Sequence, residues 1–158
     1  MNIMTVEQKL NKMGFTLPEP PQRGGVYIPI KKFGGKFAYA SGFGPAMENA
    51  SFPLGKLGKE VSLEEGRKAA QLCVLNLLAA LKSTVGDLDR VKSFVKILAF
   101  VSSESDFYQQ PQVANGASQL LCDLFGEDAG LAARSAIGVN VLPGNIPVEV
   151  EALIELKD

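Results

Sequence analysis

Hydrophobic residues recur at helical spacing in two long stretches of the chain. Ala69, Ala70, Cys73, Leu77, Ala80 and Leu81 fall on one face of a helix. Ahead of them Ser62-Leu63-Glu64-Glu65 forms a capping box, and Gly86 supplies a stop, which predicts a helix from 62 to about 84. A second long helix begins at Pro111, a residue suited to a first helical turn, and closes at Gly126. A shorter one over Val6–Lys12 takes Thr5 as its cap and ends at Gly14. Residues 17–25 hold three prolines and two glycines, which makes them a connector. Residues 26–30 and 36–41 flank Gly34-Gly35 and predict a hairpin of two strands. Residues 91–101, 132–142 and 146–156 complete the strands, and 42–59, without a clear period, reads as a long loop. The order α-β-β-α-β-α-β-β favours an α+β fold, an open mixed sheet with the long helices on one face.

Alternation assigns residues to the two faces of each strand. In 146–156 the even positions Ile146, Val148, Val150, Ala152, Ile154 and Leu156 form a core face, so Glu149, Glu151 and Glu155 point the other way. In 132–142 the odd positions Ala133, Ser135, Ile137, Val139 and Val141 suit the helix layer. Arg134 is then expected on the side away from the helices, among Ala132, Ala136, Gly138 and Asn140, sharing that side with the glutamates. In 91–101 the odd positions Val91, Val95, Ile97, Ala99 and Val101 form one parity. The other mixes Lys92 and Lys96 with Phe94, Leu98 and Phe100, a half-covered face suited to a second subunit.

A guanidinium among small neighbours in such a cleft would hold a carboxylate through two parallel hydrogen bonds. A nearby glutamate could orient or deprotonate water. Were Pro143-Gly144 a two-residue hairpin turn, Arg134 would sit opposite Leu153, with Glu149 several residues away. Glu149 would then serve the arginine across a subunit interface, or Glu151 or Glu155 would be the nearer carboxylate.

Composition narrows the chemistry further. The 158 residues suit one domain, spanning 1–158, and a core that needs no disulfide. The chain has no histidine, so the side chain that most readily shuttles protons near neutral pH is missing. Cys73 and Cys122 sit in separate helical stretches, form no CxxC and read as buried structural thiols. A net charge of −1 argues against a strong grip on a phosphate backbone, and Lys31, Lys32 and Lys36 read as a solvated hairpin end. With no secretory pattern and no apolar run near the ~20 residues that span a bilayer, the expected location is the cytoplasm.

Several blocks carry a family likeness. Ala40-Ser41-Gly42 follows the hairpin, Ala133-Arg134-Ser135 precedes Leu142-Pro143, and Val148-Glu149-Val150-Glu151-Ala152 closes the pattern. Over most of its length the chain resembles the RidA (YjgF) family, also labelled endoribonuclease L-PSP-like. Residues 1–23 and the glycine-rich 42–59 loop look like a longer-chain branch of it.

The resemblance implies a chorismate-mutase-like fold and a homotrimer with clefts between subunits. It implies hydrolysis of enamines and imines of the 2-aminoacrylate/2-iminopropanoate type to 2-keto acids and ammonia, with no cofactor; the charge and the lack of a long apolar run lead to the expectation of no nucleic-acid or membrane partner. It implies that Arg134 binds the substrate carboxylate and that Glu149 positions the attacking water. Tyr27 and Ser41 match residues near the substrate, and Asn115 matches a helix asparagine lining the site. Phe43, Ala132 and Ala136 stand where the family usually has glutamine, proline and cysteine, and these changes reshape the pocket. With Phe43 and Ala136 in place of polar groups, a non-catalytic binder of small carboxylates or a stress-related module on the same scaffold is the alternative. A ribonuclease is disfavoured by the charge and the missing histidine.

Overall fold

The computed structural model describes residues 3–158. Helix α1 (Val6–Lys12) starts in a reciprocal cap in which Thr5 Oγ1 accepts from the Gln8 N–H and the Gln8 side chain accepts from the Thr5 N–H. Its buried Val6 and Leu10, and the bond from Lys9 Nζ to the Leu124 carbonyl at 2.9 Å, fix it to the body. Strands β1 (Ile30–Phe33) and β2 (Phe37–Phe43) follow, joined by the Gly34-Gly35 turn. Then come α2 (Leu63–Val85), capped by Ser62 and Glu65, and β3 (Val91–Ser102). Helix α3 (Gln110–Phe125) leads through a single turn, α4 (Glu127–Gly130), to β4 (Ala133–Val139) and β5 (Val148–Leu156).

The sheet runs β1-β2-β5-β3-β4, antiparallel throughout except for the parallel pair β3 and β4. Helices α2 and α3 pack on each other and on one face of it. The core lies between these layers: Leu77, Leu78, Leu81, Leu120, Leu121 and Leu124 from the helices meet Ala38, Ala40, Ile97, Ala99, Val148, Val150, Ala152 and Ile154 from the sheet. The opposite face is bare and carries apolar side chains, with Phe33 and Tyr39 each 45% exposed and Ile137 42%.

Four expectations are corrected. The first strand lies at 30–33 instead of 26–30, with Val26, Tyr27 and Ile28 exposed beside β2. Pro29 has no N–H to give to a ladder, and the chain enters from a bend at residues 25–27.

In β3, register shifts at 91–93 and 94–96 reset the alternation, so Phe94 is buried against the edge of the Phe125 ring and Val95 is turned out.

In β4 the faces are the reverse of those read from the sequence. Arg134 pairs with Ile97 and Gly138 with Val101, both core residues, so the even positions face the helix layer. Ala132 and Ala136 pack on the core there, and Ile137 faces out. The even residues around Arg134 are small, and at Gly138 the start of α3 comes close. A Cβ on Gly138 would lie 2.8 Å from Gln110 Nε2 and 2.9 Å from Ser103 Oγ.

Finally, β4 and β5 are not hairpin neighbours, since β3 lies between them, and Arg134 shares a row with Ile97 and Ala152 instead of facing Leu153.

Candidate functional site

Asn115 and Ser118 lie three residues apart on α3 and therefore share a helix face, the one above β4. Arg134 Nη1 donates to Asn115 Oδ1 at 2.8 Å and to Ser118 Oγ at 3.1 Å. Neither partner is charged, and among the described residues no carboxylate pairs with this guanidinium. Its remaining N–H groups keep the planar fork that fits a carboxylate. The structure thus brings Arg134 and Asn115 together and adds Ser118. Only its spacing from Asn115 marked Ser118 in the sequence.

A second group forms on the bare side of the sheet. Glu149 and Glu151 of β5, Tyr39, Ser41 and Gly42 of β2, and Tyr27 and Gly24 of the connector line one cleft with Pro143. Ser41 Oγ donates to the Ile28 carbonyl at 2.8 Å, and the Ser41 N–H to that of Pro29 at 2.8 Å, which ties the Tyr27 segment alongside β2. The Tyr27 hydroxyl accepts from the Gly24 N–H at 3.2 Å. The Tyr39 hydroxyl donates to Glu151 Oε1 at 3.1 Å. The Glu149 carboxyl lies over Gly42, where a Cβ would come 2.6 Å from its carbon, so a larger residue there would push the glutamate side chain aside.

Burial, and then the charge of Glu151, raise the pKa of the Glu149 carboxyl from its ordinary value. The hydrogen bond to Glu151, then its charge and then burial, raise the Tyr39 phenol. Phe43 does not line this cleft. The irregularity in β2 between Ala40 and Phe43 turns its ring into the core, 6% exposed.

Arg134 and Glu149 therefore occupy opposite faces of the sheet, and the expectation that they share one is overturned. Glu149 pairs across β3 with Phe100, on the bare side, while Arg134 pairs with Ile97, on the helix side. One chain thus holds two separate groups: a cationic fork braced by amide and hydroxyl, and a cleft of carboxyls and hydroxyls. Among the described residues no three metal-ligating side chains gather, and no helix is long and apolar enough to cross a membrane.

The five-stranded mixed sheet covered by two long helices on one face is a chorismate-mutase-like fold. The family described as "YjgF/chorismate_mutase-like, putative endoribonuclease" matches residues 7–156, and the chain belongs to it. The Trypanosoma cruzi protein TCP17 is 38% identical over 153 residues, covering 97% of this chain and 95% of TCP17. Atu1372 of Agrobacterium tumefaciens, a protein of unknown function, is 35% identical with a TM-score of 0.87, covering 98% of this chain and 93% of that one. The structure of Escherichia coli TdcF with bound serine shares the fold at 18% identity and a TM-score of 0.61, over 90% of this chain and 96% of that one.

Proposed function

We propose that this protein hydrolyses small 2-imino acids, and the enamines that tautomerise to them, to 2-keto acids and ammonia. It works as a homotrimer whose clefts lie between subunits. In each cleft Arg134 of one copy, braced by Asn115 and Ser118, grips the substrate carboxylate. Tyr27, Ser41 and Glu149 of the next copy face it, with Glu149 holding the water that attacks the imine carbon. The observation that carries this reading is the Arg134 guanidinium, fixed by two neutral partners and, among the described residues, paired with no carboxylate. The serine bound to TdcF, itself a small amino acid, is consistent with a ligand of this size.

The chemistry asks little of the protein. An imine carbon conjugated to a carboxylate is already electrophilic, so holding water and substrate in register supplies much of the acceleration. Water adds to C=N, giving a carbinolamine, which collapses to the keto acid as ammonia leaves. No histidine is needed for these transfers when a carboxyl and water lie alongside.

The test is ammonia release from freshly generated 2-iminopropanoate. The wild-type chain should accelerate it, and Arg134→Ala should lower kcat/KM by about 100-fold, the scale of losing a bidentate charged contact. A wild type without acceleration that still binds 2-oxobutanoate in calorimetry would point to the non-catalytic carboxylate binder instead.

A further inference from the structure

The three outward glutamates of β5 are treated differently by the fold. Glu155 is paired with both Lys36, at 3.3 Å, and Lys92, at 3.0 Å. Among the described residues Glu149 and Glu151 pair with no cation at all, although they line the same cleft. The other polar side chains lining that cleft are the hydroxyls of Tyr27, Tyr39 and Ser41. Burial, and then the charge of Glu151, raise the Glu149 carboxyl, and no paired cation offsets them among the described residues. The fold keeps this arrangement and fixes it. The Tyr39 hydroxyl holds Glu151 in place, and Gly42 leaves the room that Glu149 occupies.

We propose that Glu151, oriented by Tyr39, determines substrate specificity, and that the site prefers 2-imino acids whose side chain ends in a cation, a guanidinium or an ammonium. This rests on the reading of the site given above. With the substrate carboxylate on Arg134 and the reacting carbon at Glu149, the side chain extends along the cleft to Glu151. A cation arriving there supplies the counter-charge that the chain itself withholds, and a carboxylate hydrogen bond to a guanidinium is among the stronger polar contacts available. Tyr39 acts as a positioning residue, because it touches Glu151 and not the reacting atoms.

The experiment compares 2-imino acids generated in place by an amino acid oxidase from arginine and from leucine. For the wild type, kcat/KM should favour the arginine-derived imine by at least about tenfold, the factor that one charge-assisted hydrogen bond supplies. Glu151→Gln should erase most of that ratio, chiefly through KM for the arginine-derived imine. Tyr39→Phe should move it in the same direction by less, and added salt should narrow it in the wild type. A wild type that turns over both imines without preference, or a Glu151→Gln variant that lowers both equally, overturns the assignment.

Calorimetry with the two product acids, 5-guanidino-2-oxopentanoate and 4-methyl-2-oxopentanoate, separates this from failure of the hydrolase reading. Selective binding of the guanidino acid, lost in Glu151→Gln, sustains the specificity even where no imine is turned over. Equal binding of the two refutes it.

Discussion

At the scale of single residues the two groups differ in how their charges are kept. Arg134 is braced by neutral groups, whereas Glu149 sits half-buried beside Glu151 with no cation paired to either among the described residues. A carboxyl whose pKa is raised on folding favours the folded chain most below its unfolded value, about 4.3. That contribution is lost as pH rises through the raised folded value. Glu149→Gln should therefore make the chain more resistant to urea than wild type at pH 7.5, and the advantage should shrink towards zero at pH 4. Unfolding curves at the two pH values, at one fixed protein concentration, measure this. An advantage independent of pH would mean that packing, and not charge, set the difference. Glu155, held down by Lys92 and then Lys36, titrates in the opposite direction and marks what compensation does on the same strand.

At the scale of elements, what could be read from the sequence was whatever a local rule decides. The capping boxes at Thr5 and Ser62 and the stop at Gly86 are satisfied within a few residues, so α1 and α2 lie where the pattern places them. The even face of β5 is uniformly apolar and is buried as read. The strands misread are those whose face is set by a partner. Nothing within 132–142 says that its small residues lie under a close helix instead of open to solvent. Only the pairing of Arg134 with Ile97 decides it. The side that Glu149 takes was thus legible in its own strand, whereas the side that Arg134 takes was not.

The bulges in β3 are equally silent in the sequence, and they carry a test. Phe94 is buried, with its ring 5.2 Å from that of Phe125, so Phe94→Ala should cost about 3–5 kcal/mol in chemical denaturation. Val95→Ala, one residue on and turned outward, should cost under about 1 kcal/mol. Strict alternation from Val91 would predict the reverse ranking.

At the scale of the whole molecule the sheet itself keeps the two groups apart. Arg134 faces the helix layer and Glu149 the bare face, with β3 between their strands, so an isolated chain cannot put both on one small substrate. The apolar side chains on the bare face, Tyr39, Ile137 and Phe33 among them, supply a reason for copies to associate. Under the proposed trimer every cleft joins the arginine of one copy to the glutamate of the next, and that makes complementation decisive. Arg134→Ala and Glu149→Ala chains, each strongly impaired alone, should regain activity when unfolded together and refolded. In random one-to-one mixtures about a quarter of the clefts combine an intact arginine with an intact glutamate, so activity should recover to about a quarter of wild type. A site completed within a single chain gives a different result, because every chain in the mixture then carries one broken half and no cleft is whole. Initial rates of ammonia release from 2-iminopropanoate, before and after co-refolding, decide between the two. Light scattering on the same samples reports whether the recovered activity travels with three copies.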